Sequence, residues 1–173
     1  MTTLRAVAVA TLFSLPVAAQ RSKTPDVRYV PTPQNVVDVM LDMAHVTPAD
    51  LVYDLGSGDG RIPITAAQQY GARGVGIEIE PRLLDLSHDN AVRARVTDRV
   101  WFLKQDLFDT DLRPATVVTL YLLPRLNQRL MPKLKALRPG TRIVSHYYDM
   151  GPEWPPDQSQ DVNSSPVHLW TIR

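Results

Sequence analysis

Apolar and polar positions divide the chain into short apolar runs separated by amphipathic stretches. Val52, Tyr53 and Leu55 form a run at 51–55 that suits a strand with neighbours on both faces. A helix is predicted over 61–70, and a second strand over 74–78 ends in a carboxylate, Glu78. Pro81 opens another helix, with Leu83, Leu84, Leu86, Ala91 and Ala94 as its inner positions. Residues 100–103 read as a third strand, and the β-branched run at 115–120 reads as a fourth. Leu126, Leu130, Met131, Leu134 and Leu137 fall on one helical stripe, which Pro132 is expected to kink or split. A fifth strand follows at 141–146.

Both ends of this array follow the same logic. Val36, Val37, Met40, Leu41 and Ala44 share a stripe, on a helix that Thr32 can cap with Pro33 in its first turn. A proline-rich loop at 150–156 surrounds Trp154. Beyond it, 159–163 and 167–172 pair as a hairpin across Ser164-Ser165-Pro166. Alternating strands and helices predict an α/β fold, a mostly parallel sheet with helices on both faces and an antiparallel hairpin at its edge. The folded domain is expected over 34–173, after an extended arm at 20–33.

Residues 1–19 have a different character. Arg5 precedes an apolar run at 6–15, and Val17-Ala18-Ala19 offers a small-residue cleavage site, the pattern of a secretory signal peptide. An uncleaved anchor or an organellar presequence are the other readings. The composition adds little pull of its own. The 173 residues suit one domain, and a formal net charge of +1 gives no strong attraction to nucleic acid. The absence of cysteine excludes disulfides, cysteine-based zinc sites and thiol catalysis.

The chemistry concentrates after the first strand, at Gly56-Ser57-Gly58-Asp59-Gly60. A dinucleotide-binding turn is spaced GxGxxG; this one is GxGxG, with Asp54 before it and Asp59 inside it. An acidic turn repels pyrophosphate and suits a cationic ligand. Glu78, twenty residues past Gly58, stands where doubly wound folds grip ribose hydroxyls. The bland alternative is a strand-turn-helix with three convenient glycines.

This turn resembles motif I of the class I S-adenosylmethionine (SAM) methyltransferases. More narrowly, YVPTP, DLGSGDGRI, GVGIEIEP, QDLF, VVTLYLLP and PGTRIVSH are similar to the small lysine methyltransferases that act on the ATP synthase c-subunit and the adenine nucleotide translocase. The resemblance implies a seven-stranded Rossmann-like sheet and SAM as cofactor. It places Asp54, Gly56 and Ser57 near the methionine part of SAM, and Gly58 where the backbone approaches the adenosine. Glu78 would accept both ribose hydroxyls, Asp106 the adenine amine, and Leu107 would offer a backbone N–H to the ring. Tyr29 and Thr32 would fold over the methionine end. Each has a structural alternative: a cap for Asp106 and Thr32, a packed ring for Tyr29.

Tyr121-Leu122-Leu123-Pro124 stands where methyltransferases of adenine or glutamine carry Asn/Asp-Pro-Pro-Tyr/Phe. Without that Asn or Asp, a planar amide or base loses its usual clamp, whereas a dry tyrosine-bearing rim suits an aliphatic amine. Tyr121 is therefore the candidate contact to the reacting amine, with a core tyrosine as the alternative. No metal is expected, because His45, His88, His146 and His168 lack ligand spacing. His146, at a strand end, reads as a satisfied histidine before a general base.

The expected activity is SAM-dependent N-methylation, first of a protein lysine, with a membrane protein among the candidate substrates. The alternatives are a small-molecule or nucleic-acid methyltransferase and a SAM-binding module without turnover. A nicotinamide-binding protein is disfavoured by the glycine spacing. The leader predicts export or membrane association, although a cytosolic supply of SAM keeps the cytoplasm open.

Overall fold

The computed structural model describes residues 28–173, so the predicted leader at 1–19 and arm positions 20–27 lie outside the described residues. Four helices and seven strands follow in order: α1 (Gln34–Met43), β1 (Leu51–Leu55), α2 (Arg61–Tyr70), β2 (Arg73–Glu78), α3 (Pro81–Ala94), β3 (Val100–Lys104), β4 (Val117–Leu120), α4 (Pro124–Lys135), β5 (Arg142–His146), β6 (Gln158–Asp161) and β7 (Pro166–Thr171). They form one sheet in the order β3-β2-β1-β4-β5-β7-β6. The first five strands in that order pair in parallel, and β7 and β6 close the edge antiparallel. The predicted seven-stranded α/β fold is the observed one.

Strand alternation decides which side chains meet which helix. Tyr53, Leu55, Val118, Leu120 and Ile143 face α4, where Leu126, Leu130 and Leu134 are buried against them. Val52, Val117 and Val144 face the other way, toward Val36, Met40 and Leu41 of α1 and Ile62 and Ala66 of α2. α3 covers the outer strand through Leu84, Ala91 and Phe102.

Register then brings the chemistry to one edge. Leu55 pairs with Ile77 on one side and Leu120 on the other, and Leu120 pairs with Ser145. One residue further on, Gly56, Glu78, Tyr121 and His146 therefore emerge together at the carboxyl ends of the strands, where open α/β sheets bind ligands. The opposite edge is tied by Asp50. Its carboxylate accepts from the Thr47 N–H (2.8 Å) and the Thr116 hydroxyl (2.7 Å), and pairs with Arg142 at 2.9 Å.

Three local expectations change. Leu86 is 39% exposed and buried Ser87 takes the inner position, because Leu84, Ser87 and Ala91 share a face while Leu86 lies about 200° around from Leu84. Pro132 does not split α4. It sits on the solvent side, where water can satisfy the carbonyl one turn earlier. Thr32 is not the cap of α1: Pro33 holds that position without a side-chain bond, and the Thr32 hydroxyl is spent elsewhere.

Candidate active site

The turn after β1 carries Gly56, Gly58 and Gly60 at φ of 79°, 54° and 78°, a left-handed region that only glycine enters without strain. It is folded back onto β2, with the Gly56 and Ser57 N–H groups donating to the Ile77 carbonyl at 2.9 and 3.0 Å. Glu78 completes the closure. Its Oε2 accepts from the Gly58 N–H at 2.9 Å, and its Oε1 accepts from the Ile79 and Glu80 N–H groups at 2.7 and 2.9 Å.

Gly58 is needed for a reason the sequence did not reveal. A Cβ there would stand 2.3 Å from Cε2 of the Tyr29 ring. Tyr29 lies across the glycine, so the arm covers the turn at this point. Gly58 is correspondingly absent from the cavity lining, which corrects its expected place against a ligand. The arm is anchored through Arg61. The guanidinium pairs with Asp59 at 2.6 Å, donates to the Thr32 carbonyl at 2.8 Å and reaches the Tyr29 hydroxyl. Burial alone would raise the Asp59 carboxyl, but Arg61 outweighs it and holds the acid below its ordinary range.

Beside the turn lies a cavity of about 600 Å³, within the ~300–1,000 Å³ of small-molecule sites. Tyr29, Thr32, Asp54, Gly56, Ser57, Glu78, Asp106, Leu107 and Tyr121 all line it, so nine of the ten predicted site residues converge. Leu122, part of the apolar rim expected at 121–124, lines it as well, as do Arg28, Glu80, Arg82 and Leu126, which the sequence pattern does not mark as site residues. Asp54 is buried and accepts from the Thr119 hydroxyl at 2.7 Å. Desolvation, with Glu78 and Asp59 nearby, pushes its carboxyl up to about 7 against that hydrogen bond. Asp106 accepts from the Phe108 N–H at 2.9 Å and holds a turn over 107–110 rather than the helix its capping alternative required.

At the far side of the cavity the Tyr121 ring lies 4.0 Å, centroid to centroid, from His146. Burial raises the Tyr121 phenol and lowers the His146 imidazole to about 4. His146 is buried, with Nδ1 3.2 Å from Thr32 Oγ1 and, among the described residues, no partner for Nε2. It is thus half satisfied, where full satisfaction was expected.

The profile of the ANTKMT methyltransferase domain matches residues 54–158, from the acid that opens the glycine turn to β6. The chain belongs to this family. A protein-lysine N-methyltransferase of Saccharolobus islandicus is 47% identical over 75% of this chain and 81% of its own length. The mouse adenine nucleotide translocase lysine N-methyltransferase is 38% identical over 75% of this chain, which spans 56% of that enzyme's length. A crystal structure described as an RNA methyltransferase of Salinibacter ruber, in complex with S-adenosylhomocysteine, is 56% identical, with a TM-score of 0.81, and the match covers 83% of this chain and 94% of that one.

This protein is a SAM-dependent methyltransferase. The cavity suits that cofactor on its own terms. Among the described residues the Ser57 hydroxyl is buried in the lining without a partner, Asp54 faces the space a cation would fill, and Glu78 has about one free acceptor position of four. That count limits the expected grip on two ribose hydroxyls: a second would have to displace the Ile79 or Glu80 N–H.

Proposed function

We propose that this protein transfers the methyl group of SAM to the side-chain amine of a protein lysine. The observation that carries the reading is the acceptor side of the cavity. There Tyr121, Leu122 and Leu126 offer an apolar wall with one phenol, and residues 121–124 supply no side-chain amide to clamp a planar NH2 group. Two lysine-specific relatives of the ANTKMT family support it.

SAM supplies a methyl on a positively charged sulfur, an activated leaving group. The chain's task is then alignment and exclusion of water. Asp54, once ionised, holds the cationic end of the cofactor, and Glu78 and Ser57 hydrogen-bond its polar edge. The arm carrying Tyr29 and Thr32 covers the methionine side, while Asp106 and Leu107 bound the adenine end. The apolar wall strips water from the lysine ammonium, which lowers its pKa, so that the proton passes to bulk water before the amine attacks. A methyl bound to sulfur becomes a methyl bound to nitrogen, and S–C bond breakage leaves S-adenosylhomocysteine.

Labelled SAM, offered with a bacterial membrane-protein extract and with total RNA in parallel, tests this. Label released as methyl-lysine after acid hydrolysis is the expected result, and label confined to RNA overturns it. The RNA reading has one specific support, the description of the Salinibacter ruber structure. A membrane protein as acceptor follows from the resemblance to the c-subunit and translocase lysine methyltransferases and is checked by which fraction of the extract takes the label. Export or membrane association of the enzyme itself rests on the apolar run at 6–15 and is checked by fractionating cells that express the full chain.

A further inference from the structure

We propose that Tyr147 and Tyr148, continuing from Tyr121 of the cavity wall across His146, form an aromatic platform whose exposed faces receive the acceptor ammonium beside the site. The inference rests on the lysine reading above and assigns it two residues that no part of the methyl-donor pocket uses.

The turn after β5 is built in an expensive way. Tyr147 has φ of 69°, a left-handed backbone that an aromatic residue adopts only under constraint. The constraint comes from buried groups. Asn127 Nδ2 donates to the carbonyls of Tyr148 (3.1 Å) and Asp149 (3.2 Å), the Ser145 hydroxyl donates to the Tyr148 carbonyl, and the Tyr147 N–H donates to Pro166 O at 2.7 Å. Asn127 and Ser145 are both fully buried. Glycine would occupy position 147 without strain. Packing does not explain the tyrosine, because its side chain is left 46% exposed.

What the turn gains is an arrangement of rings. Tyr147 meets Tyr148 edge-on at 5.0 Å and His146 edge-on at 6.3 Å, and His146 lies against Tyr121 at 4.0 Å. The series runs from the cavity wall to solvent along the ends of two adjacent strands. The Tyr147 and Tyr148 phenols also stand close enough to Tyr121 to raise its pKa further, behind burial. Ring faces and phenol oxygens in such a cluster attract an alkylammonium. The buried imidazole at its centre is held neutral, so it adds no competing positive charge. An ammonium received here gives up its proton to bulk water as it passes Tyr121, and the neutral amine enters the dry cavity.

The test uses the full chain with labelled SAM, poly-L-lysine as one probe and single-stranded RNA as another. Three proteins are compared: wild type, Tyr147→Gly and Tyr147→Phe. The platform predicts that Tyr147→Gly melts no lower than wild type, since the strain is removed, and binds SAM with unchanged affinity. It also predicts that this variant raises the KM for poly-L-lysine by about tenfold, while Tyr147→Phe, which keeps the ring, stays within about threefold. Wild type that labels poly-L-lysine, with a KM that Tyr147→Gly leaves unmoved, overturns the platform and spares the lysine assignment. Wild type that labels only the RNA overturns both.

Discussion

Glu78 Oε2 accepts the Gly58 N–H at 2.9 Å, so the acid at the end of β2 closes the glycine turn at the end of β1. The same carboxylate accepts two more backbone N–H groups, from Ile79 and Glu80. It is therefore part of the turn as well as a candidate ligand group. Glu78→Ala should weaken SAM binding by about 1.5–3 kcal/mol, and it should also lower the melting temperature of the cofactor-free protein. Titration calorimetry and a thermal melt read the two effects separately. Unchanged affinity in a folded variant would remove Glu78 from the binding site.

Asp54 makes cofactor affinity depend on pH. Its carboxyl is pushed up to about 7 by burial, whereas the unfolded chain titrates near the usual ~3.9. Between those values the folded protein holds a proton that the unfolded chain has lost. The resulting contribution to stability is full below the unfolded value and is lost as pH rises through about 7. Cofactor binding should run the other way, strengthening up to about pH 7 and then levelling, because the ionised acid attracts the cation. Asp54→Asn should flatten both profiles and weaken SAM at pH 8, measurable by calorimetry across pH. A wild-type affinity that does not vary between pH 5.5 and 8 would count against this role.

Gly58 and Tyr29 should behave as a coupled pair. Gly58→Ala places a Cβ 2.3 Å from the Tyr29 ring at a positive φ, so it should cost about 1–3 kcal/mol. Adding Tyr29→Ala relieves the collision and leaves only the backbone strain. A double-mutant cycle by urea unfolding should therefore show the pair to be less destabilised than the sum of the singles. Strict additivity would mean that the ring does not rest on this turn in solution.

Asp50 and Arg142 provide a stability prediction remote from the cavity. Burial would raise Asp50, but Arg142, Thr116 and Thr47 outweigh it and leave its carboxyl below the ordinary range. The stabilisation is therefore present above the unfolded carboxyl value and is lost as pH falls below it. Asp50→Ala removes the carboxylate that pairs with Arg142 and leaves its charge to the Ala44 and Thr116 carbonyls, which should destabilise the fold by about 3–5 kcal/mol. SAM affinity of the folded fraction should be unchanged. A variant that melts normally would show the pair to be dispensable.

Much of this was legible because it depends on short-range rules. Apolar runs, period-3.6 stripes and turn signals placed every strand and helix of the described residues, with errors where one turn of helix misassigns a face, as at Leu86, or where solvent absorbs a defect, as at Pro132. The spacing of Asp54, Gly56, Gly58 and Glu78 pointed to a cationic ligand because local backbone geometry and charge suffice for that argument. The roles of single side chains were less legible. Thr32 carried a capping signal yet turns its hydroxyl to His146, 114 positions away.

By itself, then, the chain determined an α/β sheet with its glycine turn, its acids and a tyrosine after β4, since these follow from patterning and local chemistry. Only the tertiary structure decided that Tyr29 rests on Gly58, that His146 lies between Tyr121 and Tyr147, and that Arg61 fastens the arm. Those contacts depend on strand register and on rings meeting across the sheet edge. No local pattern specifies which distant partners a buried or strained group will find.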